Sequence, residues 1–235
     1  MFKNIKKSIQ TRNRLCSLER APFFELAEKY LPDDPTAVIV DIGSGEGLFA
    51  DNLGLAKKFK NLFLLDANQT VVDTLKGRFN NALLYRAPDY LSFEDGSVNF
   101  IHCSHLIEHL TPQDLYKFLK EMDRVLAVSG ILCVSSPMLW QELYSDMEHI
   151  KPYHYKTFQI YLCGKGPGRT ENVVSENYSM IDLHYRYYSR NLYENLGSDI
   201  LTVEILMRLI KKLSKKLHLK KYEKNGFTVV LKKAA

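Results

Sequence analysis

From Ala37 onward, short apolar runs alternate with longer stretches in which apolar residues recur at helical spacing. Ala37 to Ile42 (AVIVDI) is β-branched and almost wholly apolar, the pattern of a buried parallel strand. A glycine-rich turn then leads into a predicted helix over Leu48 to Lys58. Strands are predicted at Leu62 to Leu65, Ala82 to Tyr85 and Val98 to Cys103, with a helix from Asn68 to Phe79 between the first two. From Thr111, Leu115, Phe118, Leu119, Met122 and Leu126 recur at i, i+3, i+4 spacing, a helix that Gly130 ends before a fifth strand at Ile131 to Val134. Such βα alternation predicts an α/β fold, a parallel sheet covered by helices on both faces.

Outside this region the rhythm differs. The first thirty-odd residues read as a basic lead-in and then a helix around Phe23 to Leu31, stopped by Pro32 and Pro35. After Pro137, Trp140 to Gly168 is rich in Tyr, His and Lys and closes on Gly-Lys-Gly-Pro-Gly. Asn172 to Arg190 is strand-like, Ile200 to Leu219 is a basic amphipathic helix, and Phe227 to Leu231 is a closing strand. The expected division is a lead-in over 1–36, a core over 37–137, and an insert with closing elements of the same domain over 138–235.

Composition narrows the classes. At 235 residues, 46% apolar and 25% charged, the chain is an ordinary globular one, and its net charge of +5 is too mild to argue for nucleic acid. Cys16, Cys103, Cys133 and Cys163 form no CxxC pair, which fits a reduced, cytoplasmic chain with thiols as core fillers. The N-terminus lacks the apolar stretch of a signal peptide. No apolar run approaches the roughly 20 residues that span a bilayer.

The chemistry begins at Asp41-Ile42-Gly43-Ser44-Gly45-Glu46-Gly47, where a buried strand becomes a helix. Glycines there permit a sharp turn and close approach of a ligand, and the helix start favours the same point. Asp66, at the end of the second strand, stands where a carboxylate bonds ribose hydroxyls. The spacing is G-x-G-x-G with Leu48 next, not the dinucleotide G-x-G-x-x-G. Asp41 suits a cationic ammonium better than a pyrophosphate, which it would repel.

VIVDIGSGEG, LFLLDAN, LSFEDGSVNFIHCSHLIEHL and RVLAVSGILCVSSP stand in the order and spacing of the class I S-adenosylmethionine-dependent methyltransferases, which the chain resembles from about Val38 to Pro137. The resemblance implies a Rossmann-like, mostly parallel, doubly wound seven-stranded sheet with an antiparallel last strand and a helical insert after strand five. It implies S-adenosylmethionine as cofactor, held by Gly43, Ser44, Gly45, Glu46 and Gly47 with Asp41 beneath. Asp66 would take the ribose and Ala67 lie beside the adenine, with Cys103 and Ser104 bordering the methyl donor. At the position of the family's adenine-binding acid stands Ala87, and Asp89 is the substitute. Asn99 replaces a frequent Asp, and Ser129 a glycine whose expected importance is packing alone.

Methyl transfer to a hydroxyl needs the acceptor held in line and its proton removed. Ser145 to His154 resembles the D-x-x-H-x-x-x-Y segment of glycan-modifying members and follows the fifth strand, where an acceptor insert is expected. His149 is the preferred base, with Asp146 fixing its tautomer. His105 is divided between lining and catalysis, while Glu108 and His109 read as loop-orienting and helix-capping residues. Tyr153, His154, Tyr185 and Arg186 are expected on the acceptor, suiting sugar rings and anionic groups. Lacking ligand-spaced pairs other than the diffuse His149 and His154, the sequence predicts no metal.

Arg208, Lys211, Lys212, Lys215 and Lys216 line one face of the basic helix and leucines the other. The ordinary expectation is an apolar stripe packed on the domain; the sharper one is peripheral contact with the inner face of a membrane. The functional expectation is a methyltransferase acting on a glycan or other small molecule, in polysaccharide synthesis. A quinone-biosynthesis type and a cofactor-binding partner subunit without chemistry are the alternatives. No nucleic-acid module is recognisable.

Overall fold

The computed structural model describes residues 2–16, 20–166, 172–194 and 197–234. Pro167 and Gly168, the end of the Gly-Lys-Gly-Pro-Gly stretch, lie outside the described residues. Seven strands form one sheet: β1 (Val38–Ile42), β2 (Asn61–Asp66), β3 (Ala82–Leu84), β4 (Val98–Ser104), β5 (Leu126–Pro137), β6 (Tyr178–Asn191) and β7 (Lys220–Lys233), in the order β3-β2-β1-β4-β5-β7-β6. The first five are parallel, and β7 runs antiparallel to β5. This is the expected Rossmann-like seven-stranded arrangement. Strand order reverses between β1 and β4, the switch point at which open α/β sheets bind ligands beyond the carboxyl ends of the strands.

Because β1 and β4 are buried on both faces, their side chains feed two apolar layers. Val40, Ile42, Ile101 and Cys103 face one, with Leu115, Phe118 and Met122 of α6 (Pro112–Val125). Ile39 and Phe100 face the other, with Phe24 and Ala27 of α2 (Ala21–Glu28), Phe49 of α3 (Leu48–Leu53) and Leu75 of α5 (Gln69–Lys76). Thr111 caps α6: its hydroxyl oxygen accepts from the Asp114 amide at 3.1 Å, and Pro112 occupies the first turn, where no amide is needed.

Three elements differ from the sequence reading. The helix expected over Leu48 to Lys58 is broken at Gly54, whose left-handed backbone (φ 61°) ends α3 and starts the four-residue α4 (Leu55–Lys58). Gly130 does not end α6, which stops at Val125. Leu126 already pairs with Val98 as the first residue of β5, and its apolar side chain fits either pattern. The lead-in contains a helix, α1 (Phe2–Arg14), whose sparse apolar positions gave little periodicity to read.

The chain divides into two compact units, at other places than residues 36 and 137. One comprises Met1–Leu18 with Arg186–Asn225, the other Glu19–Tyr185 with Gly226–Ala235. In the first, the Tyr187 amide donates to the Leu15 carbonyl at 3.0 Å and Arg190 pairs with Glu223 at 2.7 Å. It also holds α8 (Leu201–Lys216), where Ser214 is buried and donates to the Leu192 carbonyl at 3.0 Å. The second contains β1 to β5, α2 to α6 and the α7 helix (Lys156–Tyr161). No helix among the described residues is long and apolar enough to cross a membrane.

Candidate active site

The carboxyl ends of β1 and β2 are tied together by the glycine loop. The Gly43 and Ser44 amides donate to the Leu65 carbonyl at 2.8 and 3.0 Å, and the Gly45 amide donates to Asp66 Oδ2 at 2.9 Å. Asp66 Oδ1 accepts from the Asn68 amide, also at 2.9 Å, so the carboxylate is held in one orientation. All three glycines are left-handed, with φ of 72°, 52° and 79°. Their surroundings separate them. A Cβ on Gly43 would meet Leu106 at 3.1 Å, and one on Gly47 would meet Leu75 and Phe79 at 3.1 Å, but at Gly45 nothing lies within 4 Å. Gly43 and Gly47 are therefore small so that the protein can close around them, and Gly45 faces open space where a ligand backbone can approach. Because α3 spans only six residues, the loop amides and Asp66 carry the recognition argument, rather than the helix dipole.

Asp41 lies beneath the loop, 2% exposed, with Oδ1 at 2.7 Å from His102 Nδ1. His102, in register with Asp41 on the neighbouring strand, stacks on Phe49 with ring centroids 3.8 Å apart. Sequence reading missed this partner. The signal was available, since Asp41 and His102 are polar residues within otherwise apolar strands. Asp41 Oδ2 is buried and has no hydrogen-bond partner among the described residues, so one carboxylate oxygen is uncommitted. Glu46 and Ala67 are exposed beside the loop, and the Glu46 carbonyl accepts from Arg78. Asp89 is exposed, after the cis Ala87–Pro88 bond. Cys103 is a correction: its side chain is fully buried in the core, where burial pushes the thiol well above its ordinary range, so it borders no crevice. Ser104 is nearly buried at the end of β4.

Past β4 the chain turns through His105 in a left-handed conformation (φ 56°), and Leu106 packs on Gly43, placing this turn against the glycine loop. His105 Nδ1 lies 3.1 Å from Glu108 Oε1. Glu108 is completely buried. Burial raises its pKa, but contact with His105 outweighs this and holds the carboxyl below its usual range. The Glu108 carbonyl accepts from the Ile150 and Lys151 amides at 2.9 and 3.1 Å, which fastens the insert to the turn. Capping of the next helix falls to Thr111, not to Glu108 or His109.

His149 sits on that fastened segment. Its Nδ1 donates to the Leu143 carbonyl at 2.6 Å, and Asp146 Oδ2 lies 3.8 Å from Nε2. The tautomer is thus fixed by main chain rather than by Asp146, because a carbonyl can only accept and so requires the proton on Nδ1. His109 Nδ1 likewise donates to the Glu148 carbonyl at 3.0 Å, and the two imidazoles are 4.9 Å apart. A separation of 40 positions hid the meeting of these histidines from any spacing rule.

A cleft of about 560 Å³ lies next to this region, lined among others by Tyr116, Lys117, Lys151, Tyr153, His154 and Tyr161. None of these named lining residues belongs to the glycine loop, and the volume is that of a small-molecule pocket. It gathers Tyr153 and His154 with Tyr116 and Tyr161 from two helices. Tyr185 is packed on Tyr155, with centroids 6.1 Å apart. Arg186 falls in the other unit, where its Nε donates to Asn225 Oδ1 at 3.4 Å.

Residues 40–134 match the family described as "Methyltransferase domain". A search of curated sequences gives no significant match. Among solved structures, a SAM-dependent methyltransferase from Archaeoglobus fulgidus is similar with a TM-score of 0.62 and 22% identity, over 92% of this chain and 95% of that one. A Haloferax volcanii methyltransferase in complex with the Trm112 methyltransferase activator gives 0.57 and 13%, over 89% and 88%. Geranyl diphosphate C-methyltransferase from Streptomyces coelicolor A3(2), in complex with Mg2+, geranyl diphosphate and S-adenosyl-L-homocysteine, gives 0.56 and 11%, over 92% and 78%. At these identities the structures attest the fold, and the family match attests the domain. The methyltransferase domain over residues 40–134 makes the protein an enzyme that methylates with S-adenosylmethionine as its cofactor.

Proposed function

We propose that the protein methylates a hydroxyl of a sugar or polysaccharide of the surface-glycan or O-antigen type, with His149 as general base. The observation that carries this reading is the state of the His149 ring. With Nδ1–H given to Leu143, Nε2 keeps a lone pair for a hydroxyl proton. The acceptor oxygen attacks the sulfonium methyl carbon, the C–S bond breaks with its electrons left on sulfur, and the hydroxyl proton passes to Nε2. Asp146 then faces an imidazolium it stabilises, and His105 is the second candidate for the proton. Glycines 43, 45 and 47 with Ser44 cradle the methionine and ribose, Asp66 takes the ribose hydroxyls, and Asp41, Glu46, Ala67, Asp89 and Ser104 complete the surroundings. Tyr153 and His154 in the tyrosine- and lysine-lined cleft support a sugar ring with an anionic group, and Tyr185 is a proposed acceptor contact in the same unit.

His149→Ala should lower turnover about 10²–10⁴-fold while the Kd for S-adenosylmethionine is unchanged. Intact turnover removes His149 as the base. A quinone-type acceptor is the second reading, favoured by Pro112, Leu115, Leu119 and Pro152 on the apolar side of the cleft. Radiolabelled methyl incorporated into a quinol rather than a glycan panel would decide for it. A partner subunit without chemistry would bind the cofactor and label neither.

We further propose a cytoplasmic location with peripheral contact at the inner membrane face. Leu206, Leu209 and Leu213 of α8 and Leu217 at its C-cap are each more than half exposed, alongside Arg208, Lys211, Lys212, Lys215 and Lys216. An exposed apolar stripe bordered by lysines fits an anionic leaflet, each cation adding about 1 kcal/mol. Neutralising the four lysines should abolish sedimentation with phosphatidylserine vesicles; unchanged sedimentation would refute the contact.

A further inference from the structure

We infer that Glu108, His109 and His149 form a binding site for a divalent transition-metal ion, Zn2+ being the best fit. One ligand atom from each of the three residues lies within 4.8 Å of the others. Tetrahedral zinc with bonds of about 2.0–2.1 Å places its ligands about 3.4 Å apart, so small side-chain rotations close the set. Two imidazoles and one carboxylate give three protein ligands and leave a fourth position open, the donor set and vacancy of a reactive zinc site.

Independent features point the same way. Both histidines give Nδ1–H to a main-chain carbonyl, His109 to Glu148 and His149 to Leu143. That is the outer-shell arrangement that fixes the tautomer of a metal-binding histidine and leaves Nε2 to coordinate. Glu108 is wholly buried, and Oε1 has no aligned hydrogen-bond donor; its nearest contact is His105 Nδ1 at 3.1 Å. Oε2 accepts a long bond of 3.2 Å from Ser136. A carboxylate sealed from water needs positive charge beside it; His105 meets Oε1 on one side, and an ion held with His109 and His149 would meet it on the other. Finally, the Ile150 and Lys151 amides clamp the His149 segment to the Glu108 carbonyl, so the two halves of the set are held together before any ion arrives.

What the ion would do rests on the proposed methyl transfer. An ion held there would supply Lewis acidity, lowering the pKa of a hydroxyl at its open position. Since Nε2 of His149 cannot hold metal and proton together, in the loaded site His149 would serve as a ligand and the hydroxyl proton would pass to water.

The test is a titration of the full chain, stripped with EDTA, with Zn2+ against a chromophoric chelator, alongside calorimetry with S-adenosylmethionine. One Zn2+ per chain should bind with a Kd below about 1 μM, unaffected by millimolar Mg2+, which avoids imidazole ligands. His109→Ala, His149→Ala and Glu108→Gln should each weaken Zn2+ at least about 100-fold, losing more than the loss of an outer-shell partner costs. Cofactor affinity in the two histidine variants, at half-buried positions, reports that the fold is intact. A wild-type Kd above about 0.1 mM, displacement by Mg2+, or histidine variants that bind Zn2+ like wild type would overturn the site. Zn2+ binding without cofactor binding would sink the methyl-transfer reading and keep the site; the converse would do the reverse.

Discussion

Ser129 adopts φ 63°, a left-handed conformation, at an exposed position where the resemblance leads to an expectation of glycine. The residue matters for backbone conformation, beyond the packing role expected of it. An L side chain there costs about 1–2 kcal/mol, part of which glycine would lose again to its freer unfolded chain. Ser129→Gly should therefore raise the unfolding free energy by about 1 kcal/mol in urea titrations, with no change in cofactor affinity; a loss of stability would contradict the strain. The neighbouring Gly130 has the opposite constraint, since a Cβ there would lie 2.7 Å from the Ala127 carbonyl oxygen. At this scale the sequence made part of the site legible. Asp41, the three loop glycines and Asp66 are consecutive or follow strand ends at fixed offsets, so local spacing suffices to find them. The Glu108, His109 and His149 group was illegible because two chain segments meet only through hydrogen bonds to the Glu108 carbonyl. The role given to Asp146 failed for a similar reason: a side chain three residues away was chosen where the Leu143 carbonyl was the nearer partner.

Among the elements, α6 is fastened by its last turn as much as by its apolar face. Arg124 donates to the Leu91 and Phe93 carbonyls at 2.9 and 3.0 Å and to Glu121 Oε2 at 3.1 Å, while Glu121 Oε1 accepts from the Leu91 amide at 2.8 Å. Hydrogen bonds from Arg124 outweigh burial and hold the Glu121 carboxyl below its ordinary 4.5. A carboxyl depressed in the folded state contributes stability that is complete above its unfolded value and lost as pH falls through the folded one. The clamp should thus weaken as pH drops below about 4.5. Glu121→Gln should remove that part of the acid sensitivity, read as a shallower loss of stability between neutral pH and pH 3; an unchanged slope would show that the pair contributes nothing. Sequence periodicity found α6, with five of its apolar side chains buried, because a strong amphipathic repeat leaves one solution. It misjudged the 48–58 helix, since a lone Gly54 inside a helical pattern is tolerated in some contexts and terminates the helix in this one. α8 was found by the same repeat, yet its stripe is exposed, an outcome that periodicity alone does not distinguish from burial.

At the scale of the whole molecule, the residues proposed to hold the cofactor, from Asp41 to Gly47 with Asp66, lie in the unit comprising Glu19–Tyr185 and Gly226–Ala235. Trp140, the single tryptophan of the chain, belongs to the same unit and is half-buried, so its fluorescence reports on the part of the molecule that binds. A ligand that binds only the folded form at 100 times its Kd adds about 2.7 kcal/mol to stability. For a protein of this size each kcal/mol shifts Tm by about 2–4 °C, so saturating S-adenosylmethionine should raise the Trp140 transition by about 5–10 °C. Asp66→Ala should shrink that shift by raising Kd, because the ribose hydroxyls lose their acceptor and the Gly45 amide loses its partner. Increasing the cofactor concentration in proportion to the new Kd should restore it, which separates weakened binding from a damaged fold. A Trp140 transition indifferent to the cofactor in the wild-type protein would place S-adenosylmethionine outside this unit and overturn the crevice as its site.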